Sequence, residues 1–497
     1  MAEPAAPEAA TAVGPGAEPV VRPHLPLAVV VAIACAAQLM VILDTTIVNV
    51  ALPAMRHDLG LSASGQQWVV NGYLITFGGL LLLAGRAGDL FGRRGVFLAG
   101  LGVFTAASLA GGLAPGPGLL LAARFVQGAA AAVLAPSSLS LITASHPEGT
   151  ARSRAMAIWS ATAVAGGAIG LVLGGALVTE LSWRYVLLVN VPIGLVLFAV
   201  SAAALLPLPP ARVRQRLDVP GAVTVTAGTG ALVYGISAAT SRGWGSAPVI
   251  GALAAGVVLL AGFAVIESAS PAPLVPLAIF RRRAISVANA LMFLLGVLLT
   301  AVLFFLSLYL QQVLGYSALR TGLAVLPQSA ILIAASLTSE GLLRRLGAFP
   351  LVLTGTLLAA GGLAWLSRIG VHAAYASHVL GPILLIGLGF GLVMLPVIAT
   401  ATAGMGAGQA GLASAVANTS RQLGGAVGLS VLVTIAATVT SHNHVASPAA
   451  ATVHGYRTAL VICAAASLAA ALVALLLPRA ARSAPAAPAG RPETSRT

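Results

Sequence analysis

The stretch GRAGDLFGRR, Gly85 to Arg94, carries four charged residues in ten positions and separates two apolar runs, 67–86 and 95–113. Each run has about the 20 residues that an α-helix needs to cross roughly 30 Å of hydrocarbon. The pattern predicts two membrane helices joined by a short charged turn. Strands of a membrane β-barrel, about 10 residues with strict alternation of polarity, do not fit these runs.

The same pattern recurs along the whole chain. Of its 497 residues, 58% are hydrophobic and 8% are charged, whereas soluble domains average about 45–50% apolar and 25% charged residues. The mean hydropathy of +0.99 agrees with this composition. The sequence therefore predicts an all-α integral membrane protein with fourteen spans. The predicted spans are 27–50, 67–86, 95–113, 118–142, 155–179, 185–206, 219–240, 248–267, 284–311, 321–342, 349–368, 378–401, 412–436 and 456–477.

The positions of the arginines predict the orientation of these spans. The net charge is +14, and all 26 basic residues are arginine. With the N-terminus inside, 18 of the 26 fall in inner loops and tails, six fall in outer loops, and Arg124 and Arg421 fall inside spans. Because short cytoplasmic loops are enriched in basic residues, both termini are predicted to be cytoplasmic. Topology and contact with anionic lipid explain the basic charge, with no nucleic acid as a partner.

A weak internal repeat predicts how the spans are grouped. The segment Leu83–Gly100 aligns with Thr338–Gly355, so that Gly92 matches Gly347 and Gly100 matches Gly355. Such repeats are typical of transporters that bind their substrate between two halves. The predicted divisions are a disordered cytoplasmic tail (1–25), an N-terminal six-helix bundle (26–206), two inserted membrane helices with their loops (207–283), a C-terminal six-helix bundle (284–478) and a second disordered tail (479–497).

Several motifs resemble those of one transporter family. GRAGDLFGRR resembles the loop motif of the major facilitator superfamily, and ARFVQGAAAAVLAP, Ala123 to Pro136, looks like its fourth-span motif. LDTTIVNVALP (43–53), QWVVNGY (67–73), WRYVLLVNVPIG (183–194), YLQQVLGYSALRTGLAVLP (309–327) and NTSRQLGGAVG (418–428) together resemble the 14-span drug:proton antiporters. The resemblance implies two six-helix bundles plus two extra central helices. It also implies export of small hydrophobic or cationic drugs and antibiotics across the cytoplasmic membrane, driven by the proton gradient without a cofactor.

Asp44 is the main candidate for proton coupling. It is the only charged residue between His24 and Arg56, and an acid in midspan costs about 2.5–3.5 kcal/mol on the insertion scale. Asp44 and Arg124 each lie about six residues, or roughly 9 Å of rise, from the outer ends of their spans, so we expect both at one depth. In the resembled fold these spans are neighbours. The pair is read as a proton-binding site, with a permanent structural salt bridge as the alternative.

Two motifs are predicted to act in conformational change. The cytoplasmic loop motif comprises Gly85, Asp89, Gly92, Arg93 and Arg94, where Asp89 and the arginines could latch one conformation; plain positive-inside topology is the alternative. The span-five motif comprises Gly166, Gly170, Gly174 and Gly175. Glycines spaced by four let a neighbouring helix approach closely. The resemblance adds a gating role, although Leu171 replaces the proline of the usual antiporter motif.

The remaining candidates line a predicted substrate cavity. Aromatic faces and amide groups in aliphatic spans suit a site that accepts varied molecules. These residues are Trp68, Tyr73, Gln127, Tyr309, Gln311, Gln312 and Arg421. Trp68 could instead anchor its helix at the bilayer edge, and Arg421 could either bind an anionic group or pair with backbone carbonyls. The sequence HNH, residues 442–444, reads as a solvated outer loop and not as a metal site.

These observations favour a secondary exporter that works by alternating access and functions as a monomer. Without lysine the chain has no GxxxxGK[ST] phosphate loop, so ATP-driven transport is not expected. An enzyme is not expected either, because only Asp44 and Arg124 approach a cluster at one depth and no nucleophile joins them. A dedicated exporter of one endogenous metabolite and an uptake carrier remain as alternatives.

Overall fold

The computed structural model describes residues 27–146, 149–205, 217–403, 405, 407–443 and 447–478. The side chains of Asp89, Val164, Ala407 and Gly408 are outside this description. The two predicted tails, 1–25 and 479–497, also lie outside the described residues.

The described chain is built from α-helices joined by short turns. They are α1 (Leu27–Leu59), α2 (Ala63–Phe91), α3 (Arg93–Gly112), α4 (Pro117–Ser145), α5 (Thr150–Glu180), α6 (Arg184–Leu188), α7 (Asn190–Ala204), α8 (Val219–Arg242), α9 (Ala247–Ala269), α10 (Arg283–Leu308), α11 (Ala318–Leu346), α12 (Ala348–Leu366), α13 (Gly381–Thr402), α14 (Ala407–Ser441) and α15 (Pro448–Ala474). A 3₁₀ segment, Leu277–Arg281, precedes α10. π-Helical segments follow α10 at Tyr309–Val313 and precede α13 at Ala376–Leu380.

Fourteen stretches of the described chain are long and apolar enough to cross a membrane, which confirms the predicted number of spans. The stretch Arg184–Ala204 contains both α6 and α7, which meet at a break at Val189. Several helices are longer than predicted. The helix α1 continues past Val50 and through Pro53 to Leu59, because hydrogen bonding carries the helix beyond the apolar run on which the prediction was based.

The helices pack into two groups with an inserted pair between them. Within the first group, α1 packs on α4 and α5, and α2 and α3 pack on α4. Within the second, α10 packs on α14, and α12 and α13 pack on each other. The groups meet where α2 packs on α14 and α5 packs on α11. The inserted helix α8 contacts α2, α9 and α14, whereas α9 packs mainly on α8.

The repeated glycines play the same structural part in both groups. Gly92 (φ 91°) joins α2 to α3, and Gly347 (φ 81°) joins α11 to α12, so both occupy the left-handed region that glycine adopts without strain. Gly100 lets α3 approach Val133 of α4, and Gly355 lets α12 approach Val393 of α13. The matched glycines therefore make equivalent turns and equivalent helix contacts. We call the end where α1 joins α2 the outer end and the end where α2 joins α3 the inner end; which end faces the cytoplasm stays a prediction.

Candidate functional site

The centre of the candidate site is an ion pair between α1 and α4. Arg124 Nη1 lies 2.6 Å from Asp44 Oδ2, and the two side chains are 2% and 0% exposed. The expectation that Asp44 and Arg124 lie at one depth on neighbouring helices is therefore confirmed as geometry. Two charges removed from water in this way need further hydrogen bonds to offset the loss of hydration.

The other oxygen of Asp44 receives those hydrogen bonds. Gln127 Nε2 donates to Asp44 Oδ1 over 3.2 Å, and Asn190 Nδ2 donates to the same oxygen over 3.1 Å. Gln127 lies three residues after Arg124 on α4, a spacing that places both side chains on one face of the helix. Asn190 is the first residue of α7, directly after the break at Val189. Three side-chain donors from two helices thus converge on one buried carboxylate.

Contacts with α2 hold Arg124 in place. Its Nε donates to the carbonyl of Val69 over 3.0 Å, and its guanidinium carbon lies 4.6 Å from the centre of the Tyr73 ring. A cation over an aromatic face is attracted by the ring's negative face. Gly128 brings α4 against Tyr73 and Thr76, leaving no room for a β-carbon. The helix contact therefore fixes the distance between Arg124 and its support on α2.

A second polar cluster joins the two groups of helices to the inserted pair. We call it the amide cluster; its members are Gln67 and Asn71 of α2, Ser237 of α8 and Ser430 of α14. Gln67 Nε2 donates to Ser237 over 2.9 Å and to Ser430 over 2.5 Å, and Asn71 Nδ2 donates to Ser430 over 2.8 Å. All four side chains are at most 3% exposed. This cluster lies nearer the outer end of α2 than Tyr73, the residue whose ring supports Arg124.

The predicted cavity residues divide between the ion pair and the outer end. Tyr73 and Gln127 surround the ion pair, and Trp68 packs on the ring of Phe125 at 5.9 Å between centres. At the outer end, Gln311 donates to the carbonyl of Val50 over 3.1 Å, which ties α10 to α1. Two more bond near the outer end: Tyr309 donates to the carbonyl of Gly370 over 2.8 Å, and Gln312 accepts from Tyr456 over 3.1 Å. The seventh, Arg421, belongs to neither group and lies in the middle of α14.

The glycines of α5 make the close contacts that their spacing predicts. Gly166 faces Leu39, Gly170 faces Thr46 and Gly174 faces Ile47, all on α1. At Gly174 an added β-carbon would lie 2.6 Å from Ile47 Cγ1, which leaves no room for a side chain.

Gly175 points the other way, toward α11. A β-carbon there would lie 2.6 Å from the carbonyl oxygen of Ala318, and Gly322 of α11 packs in turn on the carbonyl of Leu171. The sequence predicted close packing but not this second partner, because a glycine carries no sign of which helix it faces. Leu171 is buried, and α5 runs as one continuous helix through it.

The loop motif is described in part. Gly92 makes the turn, Arg94 donates to the carbonyl of Ala202 over 2.8 Å, and Gly85 has space around it. The side chain of Asp89 is outside the description, so the latch assigned to Asp89, Arg93 and Arg94 stays a prediction. A neighbouring residue was missed: Arg86 donates to the carbonyls of Ala272 and Pro273 and so ties α2 to the loop after α9.

Other polar residues were also missed or underestimated. Asn190 stands in a motif quoted for its resemblance, but nothing in the sequence placed it beside Asp44. Asp218 and Glu267 lie at helix ends, as expected, yet they are only 6% and 3% exposed. Each has one carboxylate oxygen without a hydrogen-bond partner. Burial at a helix end depends on the neighbouring loop, here Leu274 and Val275, and the charge pattern alone does not reveal it.

The predicted histidine loop gives no metal site within the described residues. His442 is exposed at the end of α14, and His444 lies outside the description. The described part of the chain holds no group of three or more potential metal ligands.

Comparison with known proteins agrees with this architecture. The sequence profile of the Major Facilitator Superfamily matches residues 34–429, which is most of the chain. The chain belongs to the major facilitator superfamily. As a member of this superfamily it is a multi-pass protein of the cell membrane that transports small molecules.

Two relatives extend the likeness over most of the sequence. The cephamycin export protein of Amycolatopsis lactamdurans is 44% identical over 91% of this chain and 93% of its own. The puromycin resistance protein of Streptomyces alboniger is 41% identical over 86% of each chain. A crystal structure of an auto-inhibited peptide transporter of the POT family superposes with a TM-score of 0.65 at 16% identity, covering 92% of this chain and 99% of that one. That third likeness concerns the fold alone, and the predicted superfamily fold is confirmed.

Proposed function

We propose that this superfamily member is a proton-coupled antiporter that exports small antibiotic-like molecules across the cytoplasmic membrane by alternating access. It would work as a monomer with both termini in the cytoplasm, take its energy from the proton gradient and use no cofactor. Catalysis of a chemical reaction on the cargo is not part of the proposal. The names of the two relatives support export of antibiotics. The buried Asp44 and its three donors are the single observation that carries proton coupling.

The ion pair suggests how a proton could be exchanged for cargo. When Asp44 takes a proton on Oδ2, its attraction to Arg124 is lost. Arg124 can remain where it is, because the carbonyl of Val69, the ring of Tyr73 and Gln127 still hold it. The neutral carboxyl group is then free to part from α4 and α7, and α1 can shift relative to them. Ionisation of Asp44 would restore the pair, so protonation selects between two positions of α1.

The arrangement of the two groups suits loading from the inner end. At the outer end they touch through hydrogen bonds from Ser307 to the Asn49 carbonyl and from the Leu319 amide to Thr179, at 2.9 and 3.1 Å. Toward the inner end, α5 and α11 carry exposed apolar residues, with Ile158 47% and Leu337 73% exposed. A transporter closed outside and parted inside would be ready to receive cargo from the cytoplasm.

A dedicated exporter of one compound is a second candidate. Each of the two relatives is named for one antibiotic, which favours a narrow range of cargo. Growth of an efflux-deficient host that expresses this chain, measured against a panel of unrelated antibiotics, separates the two. Protection against one structural class indicates dedicated export, and protection against several indicates a multidrug exporter. Accumulation of a compound inside the cells would instead indicate uptake.

The test of proton coupling measures uptake into inverted membrane vesicles of a compound against which the chain protects. We expect Asp44→Asn to lower gradient-driven transport at least about tenfold, because the amide cannot carry the proton. Exchange of labelled for unlabelled compound without a gradient should survive. Glu180→Gln is the matched control, since Glu180 is an exposed acid at the outer end of α5. Normal gradient-driven transport by Asp44→Asn would make Asp44 structural and remove the basis of the coupling proposal.

A further inference from the structure

Arg421 is a cation without a partner in the middle of α14. The side chain is partly buried, and its Nε is buried with no hydrogen-bond partner in the structure. Within the described residues, the ion pairs involve Asp44, Asp58 and Glu340, and none of them includes Arg421. Pairing with backbone carbonyls, the alternative considered from the sequence, is also not observed among the described residues. An unpaired guanidinium group in apolar surroundings raises the free energy of the folded protein, so we expect an anionic group to bind to it.

The packing of α14 shows where the side chain points. A β-carbon at Gly425 would lie 2.6 Å from Thr300 of α10 and 3.4 Å from Leu74 of α2, so this face of α14 looks into the seam between the two groups of helices. Arg421 lies four residues earlier, one turn nearer the inner end on the same face. Its neighbour Gln422 meets Gly78 of α2. Arg421 therefore lies on the face of α14 that meets both α10 and α2, at the seam that alternating access would open and close.

The helices are closely packed around Arg421: Gly296 of α10 meets the carbonyl of Arg421, and Gly425 meets Thr300 of α10 and Leu74 of α2. None of these neighbours carries a charge. No acidic residue occurs on α14, and α2 carries only Asp89, at its inner end. The acids whose side chains the structure describes are Asp44, held by Arg124, and Asp58, Glu180, Asp218, Glu267 and Glu340 at the ends of helices. Arg421 thus gives the middle of this seam a positive charge that no described carboxylate balances.

We propose that Arg421 binds the carboxylate group of an amphiphilic organic anion when the seam between α2 and α10 opens, with the apolar body of the anion beside Leu74. This inference rests on the proposed function, because it names the class of cargo that the exporter would take. The planar guanidinium can donate two parallel hydrogen bonds to a carboxylate, which gives both strength and orientation. The same charge repels cationic cargo, so the site discriminates by sign as well as by shape.

The test is equilibrium binding of a charge-matched pair of probes to the purified full-length protein in nanodiscs without a proton gradient. The probes are 2-naphthoate and 2-naphthylmethylammonium, which share one aromatic body and differ in charge. We expect naphthoate to bind and to raise the melting temperature, and the ammonium to bind at least about tenfold more weakly, since a tenfold change corresponds to loss of one charge-assisted contact.

Three variants locate the site. Arg421→Gln should weaken naphthoate binding about tenfold and abolish the preference for the anion. Arg421→Lys keeps the positive charge but loses the planar pair of donors, so it should still prefer the anion, with a smaller loss of affinity than Arg421→Gln. It also replaces Arg421→Gln in the test if that variant fails to fold. Arg242→Gln is the control, because Arg242 is exposed at the end of α8, and it should bind as the unaltered protein does.

Three results would overturn the proposal: no naphthoate binding to the unaltered protein, equal binding of both probes, or undiminished binding to Arg421→Gln. Because this measurement uses no gradient, it is independent of the vesicle test. If Asp44→Asn transports normally, the proposal that Arg421 binds anions still stands. If naphthoate does not bind, proton-driven transport of other cargo still stands.

Discussion

At the scale of single residues, the most informative feature is the crowding of donors around one carboxylate. Arg124, Gln127 and Asn190 all donate to Asp44, and α7 contributes only Asn190. Hydrogen bonds to a charged group contribute about 1.5–3 kcal/mol, more than bonds between neutral groups. Asn190 therefore both stabilises the ionised carboxylate and attaches α7 to α1.

Replacement of Asn190 tests this attachment. We expect Asn190→Ala to lower the free energy of unfolding by about 1.5–3 kcal/mol, because the ionised Asp44 loses one of its donors. The measurement is thermal or denaturant unfolding of the purified protein in detergent. Asn418→Ala is the matched control, since that amide donates to the carbonyl of Ser414 on its own helix and not to a charged group. Equal destabilisation by both changes would mean that the contact of Asn190 with Asp44 contributes nothing special.

The sequence predicted the ion pair but not its surroundings. Counting from the ends of apolar runs placed Asp44 and Arg124 at one depth, and the resemblance to the superfamily implied that their spans are neighbours. Asn190 lies six residues after Arg184 and hence at the same depth, but a neutral amide in a span does not stand out as a charge does. Pro192 lacks the N–H that would bond the carbonyl of Leu188, so the sequence marks the break between α6 and α7, but not that Asn190 faces α1.

At the scale of helices, the contact between α5 and α11 is built from backbone. Gly175 packs on Ala318 and Gly322 packs on Leu171, so each helix offers a glycine to the other's main chain. These contacts lie in the outer half of both helices. The close approach is therefore part of what keeps the outer end shut.

A side chain at Gly322 should open that contact. We expect Gly322→Val to push α11 from α5, because a β-carbon there meets the Leu171 carbonyl. The measurement is disulfide formation between Thr179→Cys and Leu319→Cys, whose parent residues are hydrogen-bonded at 3.1 Å. The yield should fall several-fold in Gly322→Val. The two native cysteines are buried and interfere little.

Gly341→Val is the control on the same helix, since nothing lies within 4 Å of a β-carbon at Gly341. An unchanged yield in Gly322→Val would show that α5 and α11 tolerate separation without opening the outer end.

The glycine spacing in α5 predicted tight packing on one face. It could not predict that Gly175 faces α11, because that choice depends on how the two groups of helices are placed.

At the scale of the whole molecule, α8 connects parts that must move relative to each other. The amide cluster links α8 to α2 and α14 at once, and Thr434 of α14 also donates to the carbonyl of Ile236 over 3.1 Å. Arg86 holds the loop after α9 to the inner end of α2. The inserted pair is therefore fastened to the first group at both ends and to the second group at the outer half.

Removal of the shared hydroxyl should loosen this junction. We expect Ser430→Ala to cost about 1–3 kcal/mol of unfolding free energy, because the buried amides of Gln67 and Asn71 lose an acceptor. Unfolding of the purified protein measures it. Ser441→Ala, an exposed serine at the end of the same helix, should change stability little. If both variants unfold alike, the cluster does not hold the groups together.

The arrangement of the spans along the chain followed from the sequence, and their arrangement in space only in part. Charges bounded the apolar runs, so the number and order of the fourteen spans were predicted, although α1 ends at Leu59 and not at Val50, and α15 begins at Pro448 and not at Tyr456. Repeated glycines such as Gly92 and Gly347 indicated two related groups. The position of α8 against α2 and α14 depends on hydrogen bonds made by Ser237 and Ser430. Two serines far apart in the chain give no sign that they share a partner.

The backbone contact between α5 and α11 also affects how fast the protein can change conformation. Interlocked side chains have to change rotamer before two helices can slide past each other, and each change adds a barrier. Glycines and carbonyl groups have no rotamers to change, so this contact adds little to the barrier. We expect α5 and α11 to move relative to each other with a low barrier. The turnover rate is then set by the exchange of proton and cargo at the centre, and not by repacking of side chains between α5 and α11.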